Sequence, residues 1–293
     1  MPAKILDGKA TALTLQNKLQ SIITTKNLTN KITLAVILVG ENPASQVYVK
    51  NKLLACNQVG IKVLSYNLPT NTSFDDLLNL IQSLNNNTEV HGILLQLPLP
   101  ENITNNNDRI INKILDTISP NKDVDGFNPY NIGRLAQRLP HIRPCTPKGV
   151  MHLLEQYHIS VKSKNVTIVG SSNIVGKPLA LEMLMAGATV TVCHKLTKDL
   201  IAHCNNADIL CSAVGHPNLI NKSHIKKNAV IVDVGITRLS NGVIVGDVNY
   251  GEAYEVADYI TPVPGGVGPM TVAMLLENTI ECYQLLTGNQ IIN

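Results

Sequence analysis

The sequence predicts an α/β protein of two domains, each a parallel sheet with helices packed on both faces. Two observations support this prediction. Short apolar runs alternate with helical patterns in both halves of the chain, and residues 119–147, rich in Pro, Gly, Asp and Asn, separate the halves. That stretch is interpreted as a long loop and a domain junction. The 293 residues are enough for two ordinary domains.

The first half contains three predicted strands and three predicted helices. A strand is predicted where a short apolar run ends at a turn residue, and a helix where apolar residues recur every three or four positions. Thr72 or Ser73 is expected to cap the second helix, because a hydroxyl there can accept a hydrogen bond from a free backbone N–H. The strands are 33–39, 61–66 and 91–97, and the helices are 43–59, 74–84 and 108–118.

The second half begins a new series of strands and helices. Thr146 is expected to cap a helix that has Pro147 at its first position and extends to about residue 157. The last helix has no strand after it, so we expect it to return to the first domain. Further strands are predicted at 166–169, 188–193, 209–213, 229–234 and 259–261, and further helices at 179–185 and 270–286.

Composition and charge exclude several classes of function. The net charge is +3 without a basic block, Trp is absent and Phe occurs only twice, so neither nucleic acid nor a membrane surface is an expected partner. No run approaches the roughly 18 apolar residues of a membrane span, and residues 1–12 lack the apolar core of a signal peptide. The six cysteines form no C-x-x-C pair and match no zinc spacing, so we expect no metal and a reduced, cytoplasmic protein.

A strand that runs directly into a tight turn and a helix marks a candidate nucleotide site in the second half. Gly170 holds the first position of the dinucleotide fingerprint, Ser172 and Val175 hold the other two, and a glycine follows one place late at Gly176. The small residues Ser171 and Ser172 allow the backbone to approach a pyrophosphate, and a helix N-terminus favours an anion. The turn therefore predicts dinucleotide binding, with an ordinary tight connection as the alternative.

The following strand indicates which nucleotide is bound. Roughly 20 residues after the first glycine, an NAD-binding domain places an acid on the ribose 2′-hydroxyl. Here the strand ends Cys193-His194-Lys195, without an acid. The cationic Lys195 suits a 2′-phosphate, so NADP is preferred over NAD; the alternative is a solvated surface lysine. Segments 232–236 and 261–271, a strand end and a Pro/Gly-rich loop, are predicted to border the same site.

A second set of candidate residues lies in the first half. Ser45, Tyr48 and Lys52 share one face of the helix 43–59. A lysine beside a tyrosine at the edge of a partly dry cleft can transfer protons, although a surface lysine beside a half-buried tyrosine is the simpler interpretation. Gln96 is a single amide at the end of an apolar strand and needs a partner or a ligand.

The junction loop carries two further acids, Asp123 and Asp125, in the sequence KDVDG. Because Asp before Gly is common in turns, an Asx turn is the simplest interpretation of this pair. The spacing alone gives neither residue a chemical role.

Taken together, these segments resemble the bifunctional methylenetetrahydrofolate dehydrogenase/methenyltetrahydrofolate cyclohydrolase family, of the bacterial FolD type. The matching segments occur in the family's order and cover nearly the whole chain, and PVPGGVGPMT is highly specific. The departure from the usual glycine fingerprint is itself the family's form. The matching segments are residues 41–61, 92–100, 120–135, 144–149, 169–178, 232–236, 246–248 and 260–275.

The resemblance implies a role for each candidate residue of the first half. Lys52 would be the acid–base group of the cyclohydrolase step, and Gln96 would hydrogen-bond Lys52 and tune its protonation. Tyr48 would stack against the folate near the reacting ring. Asp125 would bind the pterin through its amino-pyrimidinone edge.

The resemblance also implies the cofactor and the architecture. NADP would be held by Gly170, Ser171, Ser172 and Ile236, with Lys195 as the charge that faces the 2′-phosphate. The fold would be two α/β domains with a cleft between them, the C-terminal one a Rossmann-like parallel sheet, and the enzyme would be a homodimer. Residues 1–143 plus 272–293 would form the folate-binding catalytic domain, and residues 144–271 the NADP-binding domain.

The implied reaction is the NADP-dependent oxidation of 5,10-methylenetetrahydrofolate to 5,10-methenyltetrahydrofolate, followed by hydrolysis to 10-formyltetrahydrofolate. This one-carbon chemistry supplies purine, methionine and histidine biosynthesis. One alternative is a dehydrogenase that has lost hydrolysis, although Lys52 and Gln96 are both present. Another is a nucleotide-binding protein without turnover. A formate-activating synthetase is not supported, because the chain has no G-x-x-x-x-G-K-[ST] loop.

Overall fold

The computed structural model describes residues 2–105 and 107–292. Its strands are β1 Lys4–Ile5, β2 Thr33–Val39, β3 Lys62–Leu68, β4 Gly92–Leu95, β5 Asn165–Val169, β6 Thr189–Cys193, β7 Ile209–Ser212, β8 Val230–Asp233, β9 Thr237–Arg238, β10 Ile244–Val245 and β11 Tyr259–Ile260. Its α-helices are α1 Gly8–Thr25, α2 Pro43–Val59, α3 Phe74–Asn86, α4 Glu101–Thr104, α5 Asp108–Thr117, α6 Pro129–Ala136, α7 Cys145–Gln156, α8 Gly176–Met185, α9 Leu200–Asn205, α10 Tyr250–Val256 and α11 Val267–Thr287.

The chain divides into two compact units. The N-terminal unit contains residues 14–143 and 275–292, and the C-terminal unit contains residues 2–13 and 144–274. The expected domain boundaries differ from these units at the N-terminus, because β1 pairs in parallel with β11 and so joins residues 2–13 to the C-terminal unit. Helix α11 begins in the C-terminal unit, and its residues from 275 onward belong to the N-terminal unit.

The N-terminal unit is built on a parallel sheet of order β3-β2-β4. All seven residues of β2 are buried, which is why this strand is apolar at every position. Helix α2 follows it and begins at Pro43, with the side chain of Asn42 accepting a hydrogen bond from the Ser45 N–H. It ends at Gly60, whose φ of +93° is a conformation that favours glycine.

The C-terminal unit is built on a sheet of order β1-β11-β8-β7-β5-β6, and every pair in it is parallel. The carboxyl ends of β6, β5, β7 and β8 therefore meet at one edge, where open α/β sheets bind ligands. The predicted α/β class with parallel sheets is confirmed. A separate two-stranded hairpin, β9 and β10, follows β8 at that edge.

The structure corrects two details of the junction. Residues 119–147 contain helix α6, whose first turn is capped by the Asn128 side chain accepting from the Tyr130 N–H. Helix α7 begins at Cys145, so Thr146 is not its cap. The Thr146 hydroxyl instead lies 2.9 Å from the hydroxyl of Thr271.

Among the described residues, no helix is long and apolar enough to cross a membrane.

Candidate active site

Lys52 and Gln96 are paired in the N-terminal unit. Lys52 lies on the buried face of α2, and its Nζ donates a hydrogen bond of 3.1 Å to the Oε1 of Gln96. Gln96 follows β4, and its backbone N–H continues the ladder to Ile37 O at 2.9 Å. The Gln96 amide N–H donates to Leu97 O at 2.6 Å, which fixes the side chain with its oxygen toward the lysine. The apolar strand thus ends in an amide because that amide has the buried amine of Lys52 as its partner.

Asp125 belongs to the same electrostatic environment. Burial raises the pKa of Asp125, and the positive charge of Lys52 acts in the opposite direction. Burial likewise raises the pKa of the Cys56 thiol to about 12 against the same charge, so Cys56 is a neutral neighbour of Lys52. The structure therefore brings together three of the four residues that the resemblance assigned to the folate site.

Tyr48 lies on α2, one turn before Lys52. Its side chain is 38 % exposed, and burial of the remainder raises the pKa of its hydroxyl. A ring that is partly exposed on the same helix as a buried lysine can present a flat apolar surface to a ligand. Ser45, in contrast, is buried near the start of α2.

Asp123 shapes the loop that carries Asp125. Its Oδ1 accepts from the Gly126 N–H at 3.1 Å, and its Oδ2 accepts from the Asn128 N–H at 2.7 Å and from the Asn131 amide at 2.9 Å. Burial raises the pKa of Asp123 to about 7, although these hydrogen bonds oppose the shift. The turn-forming interpretation is thus correct for Asp123, but the turn is buried.

The candidate nucleotide loop follows β5 in the C-terminal unit. Gly170 has a φ of +125°, and a Cβ there would lie 2.5 Å from Ala213 O. Gly176 opens α8, where a Cβ would lie 2.0 Å from Gly170 O. The Ser172 hydroxyl accepts from the N–H groups of Val175 and Gly176 at 3.1 and 3.3 Å. Gly176 therefore allows the close approach of helix to strand that the usual fingerprint obtains with a glycine one residue earlier. The turn of residues 170–176 precedes a helix N-terminus, which suits a pyrophosphate.

Lys195 lies in the turn that follows β6. The turn is fixed by the His194 N–H, which donates to the Thr197 hydroxyl at 2.8 Å, and by the Leu196 N–H, which donates to His194 Nδ1 at 3.2 Å. Because β6 is the parallel neighbour of β5, with Cys193 opposite Val169, this turn emerges beside the loop that contains Ser171. The exposed Lys195 side chain is thus placed at the correct edge of the sheet for a nucleotide phosphate.

Ile236 follows β8 at the same edge, and its side chain is 43 % exposed. A Cβ at Gly268 would lie 3.8 Å from the Cδ1 of Ile236, so the Pro/Gly-rich segment 261–271 also contacts Ile236. Asp233 and Asp247 are two further buried acids near Ile236 to which neither spacing nor the resemblance gives a role. Each is the single acid of a short apolar segment that also contains a glycine, 232–236 or 246–248, a pattern that marks each acid by itself but not their pairing.

These observations define a class of protein: an α/β protein with a strand–turn–helix of the kind that binds nucleotides in one unit and a buried lysine–glutamine pair in the other. Comparison with known families agrees. Residues 6–125 match the catalytic domain of tetrahydrofolate dehydrogenase/cyclohydrolase, and residues 144–287 match its NAD(P)-binding domain. The chain belongs to the tetrahydrofolate dehydrogenase/cyclohydrolase family.

Solved structures support the same membership. The bifunctional FolD methylenetetrahydrofolate dehydrogenase/cyclohydrolase of Campylobacter jejuni is 48 % identical, with a TM-score of 0.92 over 97 % of this chain and 99 % of that chain. A 5,10-methylenetetrahydrofolate dehydrogenase of the silkworm Bombyx mori is 42 % identical, with a TM-score of 0.89 over 98 % and 100 %. The Trypanosoma brucei dehydrogenase–cyclohydrolase, solved with NADP and an inhibitor, is 36 % identical, with a TM-score of 0.91 over 97 % and 98 %.

The predictions of a family, an enzyme and a nicotinamide cofactor are confirmed by these matches. The chain is an enzyme of the dehydrogenase/cyclohydrolase type. The roles of individual residues stay predictions.

Proposed function

We propose that this enzyme oxidises 5,10-methylenetetrahydrofolate with NADP and hydrolyses the methenyl product to 10-formyltetrahydrofolate, with Lys52 as the acid–base group of hydrolysis. The hydrogen bond from Lys52 Nζ to Gln96 Oε1, beside Asp125, carries this proposal. A dehydrogenase alone has no use for a buried lysine held by an amide, because its reaction moves a hydride and needs only oriented ligands.

In the oxidation, the chain's task is to bind and orient. NADP, when bound, accepts a hydride from the methylene carbon, and the folate nitrogens stabilise the resulting cation. Gly170, Ser171, Ser172 and Ile236 would hold the nucleotide, since they line the carboxyl edge of the sheet and the closed turn before α8. Lys195 would face the 2′-phosphate.

In the hydrolysis, Lys52 moves the proton. Water adds to the methenyl carbon to form a C–O bond, and the amine of Lys52 takes the proton that the water loses. The proton held by Lys52 then passes to N5 as the bond from that carbon to N5 breaks, and the hydroxyl on the carbon releases its proton to solvent as the formyl C=O forms. Overall, a cation and water give the neutral 10-formyl product and one proton. Gln96 would fix the position of the Lys52 amine through its oxygen, and Asp125 would accept hydrogen bonds from the pterin edge.

Tyr48 would stack against the folate. This role is supported by its partly exposed ring, on the same helix as Lys52.

The proposal is tested by following methenyltetrahydrofolate absorbance. With methylenetetrahydrofolate and NADP, we expect reduced nicotinamide to accumulate without lasting methenyl absorbance. Lys52→Met should leave nicotinamide reduction measurable and slow hydrolysis at least ~100-fold, the lower range of what a positioned acid–base group contributes. Lys50→Met is the matched control, because Lys50 is an exposed lysine on the same helix.

Two outcomes would contradict the proposal. Wild-type hydrolysis in Lys52→Met would remove Lys52 from the mechanism. Methenyl product that decays only at its uncatalysed rate in the wild type would leave a dehydrogenase alone.

We also propose a cytoplasmic homodimer that supplies one-carbon units to purine, methionine and histidine biosynthesis. The cytoplasmic location is supported by six cysteines that are all buried and form no disulfide. The dimer is supported by the family resemblance and by an exposed apolar face on α2.

A further inference from the structure

Two buried aspartates lie near the carboxyl ends of the parallel strands in the C-terminal unit. Asp233 is the last residue of β8, and Asp247 follows the hairpin formed by β9 and β10. Both side chains are buried, at 4 % and 0 % exposure. Neither has been given a role above.

Asp247 holds the segment that follows β7. Its Oδ2 accepts hydrogen bonds from the Ser212 hydroxyl at 2.9 Å and from the Val214 N–H at 2.8 Å. Its Oδ1 accepts from the His216 N–H at 2.8 Å. Three donors around one carboxylate fix the path of residues 213–216.

Asp233 holds the segment that follows its own strand. Its Oδ1 accepts from the Gly235 N–H and from the Asp247 N–H, each at 3.0 Å. Its Oδ2 accepts from the Val248 N–H at 2.9 Å. Asp233 therefore joins the start and the end of the hairpin and fixes the turn that leads to Ile236.

Two glycines make this arrangement possible. A Cβ on Gly235 would lie 2.2 Å from the Cγ of Asp247, and a Cβ on Gly246 would lie 2.0 Å from the Oδ2 of Asp233. Each carboxylate thus packs directly against the glycine beside the other. We call these four residues, Asp233, Gly235, Gly246 and Asp247, the carboxylate clamp.

The clamp controls backbone at the candidate nucleotide site. Ile236 directly follows Gly235, and the segment 213–216 packs against the loop after β5, since a Cβ on Gly170 would approach Ala213 O. The Thr237 hydroxyl donates to Gly215 O at 3.1 Å, which joins the two clamped segments to each other.

The clamp is electrostatically unfavourable in itself. Burial raises the pKa of Asp233 to about 6, and the nearby charge of Asp247 adds to the rise. Two acids that repel each other in a buried place are a poor way to stabilise a fold alone, because apolar residues of similar size could fill the same space.

We propose that Asp233 and Asp247 are positioning residues for the nicotinamide nucleotide: they hold residues 213–216 and 234–236 in the conformation that receives it. This inference rests on the proposed nucleotide site at Ile236 and Gly170. All of the clamp's hydrogen bonds lie within the chain, so on this proposal they form without the nucleotide and reduce the ordering required on binding.

The first test is Asp247→Asn, since the amide nitrogen cannot accept a hydrogen bond and must face an N–H donor. We expect the Kd for NADP, measured by titration without folate, to rise about tenfold or more. Hydrolysis of methenyltetrahydrofolate by the same preparation, which needs no nucleotide, should stay within about twofold of wild type. Asp258→Asn is the matched control, because Asp258 immediately precedes β11 at the opposite edge of the same sheet and is exposed. It should change neither quantity.

Each other outcome of this test is decisive. Unchanged NADP affinity in Asp247→Asn would overturn the positioning role. If Asp247→Asn loses both hydrolysis and NADP binding, the clamp is required for the whole fold, and the positioning role is likewise overturned. A wild-type enzyme that does not bind NADP would instead refute the proposed function.

A second test needs no variant. Amide hydrogen exchange on the wild-type enzyme should show Val214, His216, Gly235 and Val248 protected without nucleotide, and protection should change little when NADP is added. Rapid exchange that becomes slow only with NADP would show that the clamp is not preformed, and the proposal would fail.

Discussion

The acids of the two candidate sites and an acid of the surface differ in the direction of their pKa shifts, and burial is the reason. Burial raises the pKa values of Asp123, Asp125 and Asp233. Asp208 is the contrasting case, because the Lys226 ammonium at 2.7 Å lowers its pKa. An exposed ion pair of that kind contributes little to stability, whereas a buried carboxyl that holds a loop determines where the loop lies.

Asp123 should make the stability of the enzyme depend on pH. Its pKa in the folded protein, about 7, lies above the value near 4 of an unfolded aspartate, so the folded state binds this proton more tightly between those pH values. The contribution of Asp123 is therefore fully present below about pH 4 and is lost as pH rises toward 7. Asp123→Asn should flatten this part of the profile of unfolding free energy, measured by urea unfolding at several pH values.

The control for this measurement is Asp75→Asn, since Asp75 is exposed in the first turn of α3. It should shift the profile without flattening it. An Asp123→Asn profile as steep as that of the wild type would show that this carboxyl does not titrate in the folded protein as expected.

At the scale of elements, the sequence predicts the strands that are completely buried and the helices whose ends carry Pro or Gly. The strand β2 and the helix α2 were predicted at their observed limits, because one is apolar throughout and the other lies between Asn42-Pro43 and Gly60. Helix α6 lies where the sequence predicts a loop, since Asn-Pro and Gly are also turn residues. Helix α1 was not predicted, although its buried positions 12, 15, 19 and 23 have helical spacing.

In the candidate sites, too, local spacing predicts some features, whereas contacts between distant segments cannot be predicted from it. Spacing alone predicts that Tyr48 and Lys52 share one helix. The resemblance, and not the spacing, joins Lys52 to Gln96, which follows β4 in another part of the chain. The carboxylate clamp could not be predicted, because Asp233 and Asp247 meet only after the hairpin between them closes. Contacts that depend on a tertiary turn leave no periodic signal in the sequence.

We propose that the turn after β6 sets the preference for NADP over NAD. Its Lys195 side chain is exposed beside the loop that follows β5, where a 2′-phosphate would add charge that NAD lacks. Lys195→Ala should raise the KM for NADP about tenfold, as expected for the loss of one charged hydrogen bond, and should change the KM for NAD little. Steady-state kinetics with each nucleotide measures both.

Lys164→Ala is the control for this prediction, since Lys164 is exposed before the amino end of β5, the opposite end of the strand that leads to the loop. It should leave both KM values unchanged. Equal increases for NADP and NAD in Lys195→Ala would mean that the lysine does not contact the 2′-phosphate.

At the scale of the whole molecule, we propose that an exposed apolar face is the surface on which two chains associate. Val47 and Leu54 are 51 % and 52 % exposed, and their spacing of seven residues places them on one face of α2. The N-terminal sheet places β3 at its edge, next to β2. Apolar side chains at such a face are typical of a surface that a second copy covers.

Leu54→Glu should therefore convert the proposed homodimer to a monomer, because a charge buried in an apolar interface loses its hydration without gaining a partner. Light scattering coupled to size exclusion measures the mass. The matched control is Leu139→Glu, a similarly exposed leucine elsewhere in the N-terminal unit, which should leave the dimer intact. A Leu54→Glu protein of dimeric mass would place the interface elsewhere, and a monomeric wild type would refute the dimer itself. Because Lys52, Gln96 and Asp125 all belong to one chain, hydrolysis should persist in a folded monomer.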